Sequence, residues 1–151
     1  MVECNFYDIG FGNLEKFLAQ LSEKILALQK RAVIVLKDED QVNHLNQQLW
    51  TFSTNAFIPH GSKINGDSKN QPIWLTHVLE NPNNSSYLVS ANIPIAQGIK
   101  NFEKYFFIFS KEDKLMLKNA KLQKEKCLIE KIKYSFYHQS EGGKWVAGKD
   151  L

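Results

Sequence analysis

The sequence predicts an α/β fold, a single domain over residues 1–151 with a mostly parallel sheet flanked by helices. Three observations predict it. Residues 4–49 alternate strand, helix, strand, helix, the rhythm of βα units joined by right-handed crossovers. "AVIVL" (32–36) is an uninterrupted apolar, β-branched run, as in a strand buried on both faces of a parallel sheet. No repeat, low-complexity tract or linker divides the 151 residues, a length that one hydrophobic core can serve.

The elements follow in order. "CNFYDI" (4–9) is short, alternating and aromatic, a first strand, with "GFGN" as its turn. Leu14, Phe17, Leu18, Leu21, Ile25 and Leu28 then recur at helical spacing behind Asn13, a capping residue. After the 32–36 strand, Asp38 and Gln41 form a capping box for a helix carrying Val42, Leu45 and Leu49. Pro59, His60 and Gly61 read as a turn, and residues 61–71 as a polar loop. "PIWLT" (72–76), "YLVS" (87–90) and "KYFFIFS" (104–110) are further strands, the first two separated by the turn cluster "NPNNSS". "IPIAQGIKNF" is a short helix or irregular crossover. Ser110 with Asp113 resembles a cap for a long lysine-rich helix running to about residue 130. "KYSFYHQ" (133–139) alternates and leads to "GGKW", a last strand or extended tail.

Composition narrows the function classes. No run of about 18 apolar residues appears, so no membrane span is expected. "MVECNFYDIG" lacks a basic region followed by an apolar one, so no secretory signal is expected and the setting is cytoplasmic. Cys4 and Cys127 form no CxxC pair and read as reduced core thiols. The net charge of +3 is uneven: residues 111–133 hold eight lysines against four acids. A local excess of this size suits an anionic partner better than sequence readout of duplex DNA.

Four features could carry chemistry. Gly10-x-Gly12, with Asp38 past the second strand, is the skeleton of a nucleotide-binding unit, and a nucleotide-dependent enzyme is the alternative reading of the chain. The third glycine is absent, however, and Glu15 stands in its place, where a carboxylate would repel phosphate. His44, His60, His77 and His138 lie at no metal-ligand spacing, "DED" (38–40) is a helix start, and no Ser sits in a GxSxG elbow. Neither a metal, a cofactor nor a catalytic residue is therefore assigned. Lys114, Lys118 and Lys121 share a helix face with Lys124 on its flank. This face is either simply solvated or a basic groove for carboxylates or phosphates, with Phe106, Phe107 and Phe109 upstream as an apolar neighbour. In "LWTFSTNAFIPHG" (49–61), Trp50 and Phe57 flank a polar insert and are either core or interface anchors.

The segment "RAVIVLKDEDQVNHLNQQLWTFSTNAFIPHG" (31–61) closely resembles the chi subunit family of bacterial DNA polymerase III. That family shows a strand, an acidic helix start, a Leu-Trp pair and then Phe-x-Pro-His. Here these are Asp38 and Glu39, Leu49 and Trp50, and Phe57, Pro59 and His60. Phe6 and Tyr7, "PIWLT", "YLVSANIP" and "GGKW" extend the likeness nearly end to end. The resemblance implies a Rossmann-like, mononucleotide-binding-like topology and a non-catalytic accessory subunit of the clamp loader. It implies two partners, the psi subunit, in a heterodimer, and the acidic, apolar-ended C-terminal tail of the single-stranded-DNA-binding protein, with DNA contacted only indirectly. By the same resemblance Trp50, Phe57 and Pro59 bind psi, while Phe109, Lys118, Lys121 and Lys124 bind the tail. The last helix departs from the family, which offers an Arg, an aromatic before a basic residue and a Gly-containing turn; here the basic residues are all Lys and no Gly lies between 99 and 141.

Overall fold

The structure, a computed structural model, describes residues 1–51 and 58–151. Its strands are β1 (Glu3–Asp8), β2 (Ala32–Val35), β3 (His60–Ser62), β4 (Ile73–Thr76), β5 (Tyr87–Ser90), β6 (Lys104–Phe109), β7 (Lys133–Gln139) and β8 (Trp145–Ala147). The helices are α1 (Leu14–Ala27), α2 (Glu39–Thr51) and α3 (Lys114–Ile129). The described strands form one sheet in the order β3-β4-β2-β5-β6-β1-β7-β8, and every neighbouring pair is parallel except β7–β8.

The period-2 alternation of the strands sorts their side chains onto two faces. Ala32 and Ile34, Ile73 and Leu75, and Phe106 and Ile108 pack with Leu18, Ile25, Leu45 and Leu49 under α1 and α2. Val33 and Val35, Trp74, and Tyr105, Phe107 and Phe109 pack with Ala120 and Cys127 under α3. β2 is buried at each of its four positions, as its unbroken apolar run requires. Phe6 stands at the centre of an aromatic group, stacked on Phe136 with centroids 4.6 Å apart and edge-on to Phe109 at 6.4 Å.

Capping fixes the helix starts. Asn13 accepts from Lys16 N at 2.9 Å. Asp38 accepts from Gln41 N at 2.8 Å, and Gln41 Oε1 reaches back to Lys37 N at 2.8 Å. At α3 the cap is Asp113 alone, which accepts from Leu115 N at 3.0 Å and Met116 N at 3.1 Å. Ser110 instead ties the preceding loop to the first βα turn by donating to Gly10 O.

Two strands depart from the sequence reading. His60, Gly61 and Ser62 were expected as turn and loop, yet they pair in parallel with Ile73, Trp74 and Leu75. A strand of three residues is too short to show a period, so only the β4 edge reveals it. "GGKW" leads into β8, the antiparallel partner of β7, and Trp145 from it lies edge-on to Tyr7 at 5.0 Å.

Candidate partner-binding surfaces

The first surface lies at the end of α2. Val42, Leu45 and Leu49 are the buried side of that helix, and Trp50, the next residue, is 53% exposed. Its ring lies 4.9 Å from that of His60. His60 is buried, with Nδ1 2.6 Å from Ile58 O and Nε2 3.1 Å from Asn46 O, so it joins β3 to α2 beneath the indole. Both ring nitrogens thus meet backbone oxygens, and the residue opens a strand rather than the expected turn. Pro59 is half-buried. Phe57 lies outside the described residues.

The second surface is the outer side of α3. Three inward residues, Ala120, Gln123 and Cys127, are its fully buried contacts. Gln123 is clamped in the core: its Oε1 accepts from Ile95 N at 2.6 Å and from the Tyr105 hydroxyl at 2.8 Å, while its Nε2 donates to Ile95 O at 3.0 Å. Asn119 Nδ2 donates to Asn92 Oδ1 at 2.9 Å, and Asn92 Nδ2 donates to Met116 O at 3.0 Å. These polar clasps fix the rotation of α3 and turn Lys114, Lys118 and Lys121 outward, all exposed. Among the described residues no ion pair joins Lys118 or Lys121. Leu115, Leu122 and Ile129 run beside them, exposed at 66%, 39% and 78%.

Lys124 does not continue that free row. Its Nζ lies 2.7 Å from Asp150 Oδ1 and donates to Leu151 O at 2.7 Å, and it sits 6.0 Å from the Tyr134 ring centroid. The hydrogen bond to Asp150 raises the ammonium's pKa, and the same bond lowers the Asp150 carboxyl below its ordinary value. Both groups are thus charged across the neutral range. Phe109 does not lie on this surface either: it is 1% exposed, edge-on to Phe136. Phe106 and Phe107 are also buried, Phe106 under α1 and α2 and Phe107 under α3, so the phenylalanine-rich strand forms core on both faces of the sheet rather than a surface pocket. Cys4 and Cys127 meet between β1 and α3, and burial pushes the Cys4 thiol well above its ordinary value.

The glycine turn closes on itself. Gly10 N donates to Asp8 Oδ1 at 2.9 Å, Lys111 N donates to the same oxygen at 3.1 Å, and Gly12 N donates to Ile9 O at 2.8 Å. The N–H groups a phosphate would need are thus directed at the chain's own oxygens. Gly12 has a local reason to be glycine, since a Cβ there would come within 2.9 Å of Ile9 O. Glu15 pairs with His44 at 2.9 Å, and Asp38 caps α2. A cleft of about 770 Å³ opens at the carboxyl ends of β2 and β4, lined by Glu39, Val42, Ser62, Trp74, His77 and Glu80. Its walls hold two carboxylates, and Trp74 Nε1 donates to one of them, Glu80, at 3.0 Å. Sequence reasoning did not find this cleft because its lining comes from three separated segments. No group of three or more His, Cys, Asp or Glu gathers as a cation site among the described residues. No described helix is long and apolar enough to cross a membrane.

Together these features define a doubly wound α/β protein that displays an exposed indole at the end of one helix and a lysine face on another. Residues 1–125 match the family described as DNA polymerase III chi subunit, HolC. Over 96 residues the chain is 38% identical to the probable DNA polymerase III subunit chi of Rickettsia prowazekii (strain Madrid E), a match covering 64% of this chain and 58% of that protein. The chain belongs to the DNA polymerase III chi subunit family, and so to the proteins of DNA replication.

Proposed function

We propose that this protein is a non-catalytic, cytoplasmic adaptor of the DNA polymerase III holoenzyme. It joins the psi subunit of the clamp loader, as a heterodimer, to the acidic C-terminal tail of single-stranded-DNA-binding protein, and meets DNA only through these partners. The observation that carries the proposal is the family match over residues 1–125, which includes Trp50, Phe57, Pro59, Phe109, Lys118, Lys121 and Lys124. Trp50, Phe57 and Pro59 form the psi surface; a large, half-exposed aromatic is the residue type that dominates such contacts. Lys118, Lys121 and Lys124 take the tail's carboxylates, and Phe109 supports α3 from beneath. Lysine neutralises a carboxylate without the planar fork of arginine, so the contact is modest in strength and falls as salt screens it.

The test is a titration with a fluorescent peptide copying the tail of the cognate single-stranded-DNA-binding protein, at low and high salt. Micromolar binding that weakens with salt is expected. Absence of binding at low salt would remove the tail from the proposal. Binding of a naked oligonucleotide with comparable strength would instead favour direct single-strand recognition through the lysine face.

A further inference from the structure

The end of the described chain returns to the lysine face. The 140–144 turn closes with Ser140 N donating to Lys144 O at 2.7 Å, and β8 then runs antiparallel to β7. Gly148 N donates to Phe136 O at 2.7 Å, which carries the chain back toward the start of β7. Asp150 and Leu151 thereby arrive beside the second half of α3. Asp150 Oδ1 meets Lys124 Nζ at 2.7 Å, while the Tyr134 hydroxyl donates to Asp150 Oδ2 at 3.4 Å. Leu151 packs, half-buried, on the core cluster beneath α3, to which Tyr134 also contributes. A cation, a phenol and an apolar wall thus hold a carboxylate followed directly by an apolar side chain.

We propose that Asp150–Leu151 is a built-in competitor for the tail-binding surface: it occupies Lys124 as an acidic, apolar-ended peptide would, and must leave before such a peptide can seat fully. This rests on the tail-binding role proposed above. The two ligands share one chemistry, and Lys124 has three donors of which two already point at Asp150 and Leu151. Residues 126–151, which include Asp150 and Leu151, lie beyond the span matched to the family. Its hold is light, because Asp150 is 57% exposed and an exposed ion pair contributes little. Tethering nevertheless keeps it at high local concentration, which lowers the apparent affinity for any peptide in solution. Lys118 and Lys121, in no ion pair among the described residues, remain open as the landing side for the carboxylates of an incoming tail.

The experiment compares wild type, Asp150→Asn and Lys124→Gln full-length proteins. Each is titrated with a fluorescent acidic peptide ending in an apolar residue, and hydrogen exchange of residues 146–151 is followed with and without peptide. The expected result is binding roughly threefold to tenfold tighter for Asp150→Asn, weaker binding for Lys124→Gln, and faster exchange of 146–151 in wild type once peptide is added. Asp150→Asn should melt like wild type, since Asp150 is 57% exposed, and a melting curve of Lys124→Gln separates weaker binding from loss of fold. Equal affinity of wild type and Asp150→Asn would overturn the competitor while leaving the tail-binding role standing. Weaker binding by Asp150→Asn would overturn it too, by making Asp150 part of the site. No binding by either would overturn the tail-binding role and the competitor with it.

Discussion

The end of α2 and the outer side of α3 are both exposed surfaces of one sheet protein, but they are held in place by opposite means. α2 is fixed by apolar packing through Val42, Leu45 and Leu49, and what it displays is an aromatic ring. α3 buries only Ala120, Gln123 and Cys127, is fixed in large part by hydrogen bonds to Asn92, Ile95 and Tyr105, and displays charge. An apolar anchor tolerates small rotations. A set of hydrogen bonds does not, because each has a required distance and angle. The surface that presents separate cations is the one with the polar clasp.

Five variants would break or sharpen this contrast. Leu45→Ala should cost the most stability, about 3 kcal/mol in urea unfolding, because Leu45 is fully buried between α2 and the sheet. Gln123→Leu should cost about 2 kcal/mol, more than the small change in volume suggests, by leaving Ile95 and Tyr105 groups unpaired. A neutral result there would mean that α3 is held by packing after all, and the contrast would collapse. Trp50→Ala should weaken psi binding by more than about 1 kcal/mol with little change in melting temperature. Large loss of stability would make Trp50 core and merge the two regions into one kind.

The charged face should respond more gently. Lys121→Glu combined with Lys124→Glu should lower tail-peptide affinity by about 1 kcal/mol at low salt and leave psi binding unchanged, as suits a contact made by charges at the protein's edge. A psi affinity that fell in parallel would show the two surfaces to be coupled. Lys131→Gly should have the smallest effect, a gain of up to about 1 kcal/mol in melting or urea stability, since Lys131 holds φ 57° where glycine rests without strain. That left-handed residue closes α3, with Ile132 N donating to Cys127 O at 2.8 Å.

The pair at Lys124 adds a pH window to the comparison. Lys124 is raised, so its contribution is complete below the ordinary lysine value and is lost as pH climbs through the raised one. Asp150 is lowered, so its contribution is complete above the ordinary carboxylate value and fades as pH falls through the lowered one. Hydrogen exchange of residues 146–151 should therefore be slowest between about pH 5 and 9 relative to the intrinsic rate.

Much of the fold was legible. "YLVS" and "KYSFYHQ" became strands with the bounds read from sequence, and the other long strands shifted by a residue at one or both ends. Asn13 and Asp38 cap where their positions indicated. The lysine face was legible in part, because helical spacing says which residues share a side. Its partner was not, since nothing in residues 114–129 announces that Asp150 will come to Lys124. The end of α3 near residue 130 was legible, but not the means of its closure: Lys131 takes a conformation that sequence reading expects of glycine.

By itself the sequence determined the class, the alternation of βα units and the family, because periodicity, caps and a dense motif at 31–61 are local properties of the chain. Only the tertiary structure decided that Phe109 lies beneath the surface, that His60 supports Trp50 from β3, and that the lysine row divides at Lys124. Each of these depends on contacts between segments far apart in sequence. A residue's spacing fixes the direction it faces, while the segment that folds over that direction decides whether it meets solvent, core or another charge.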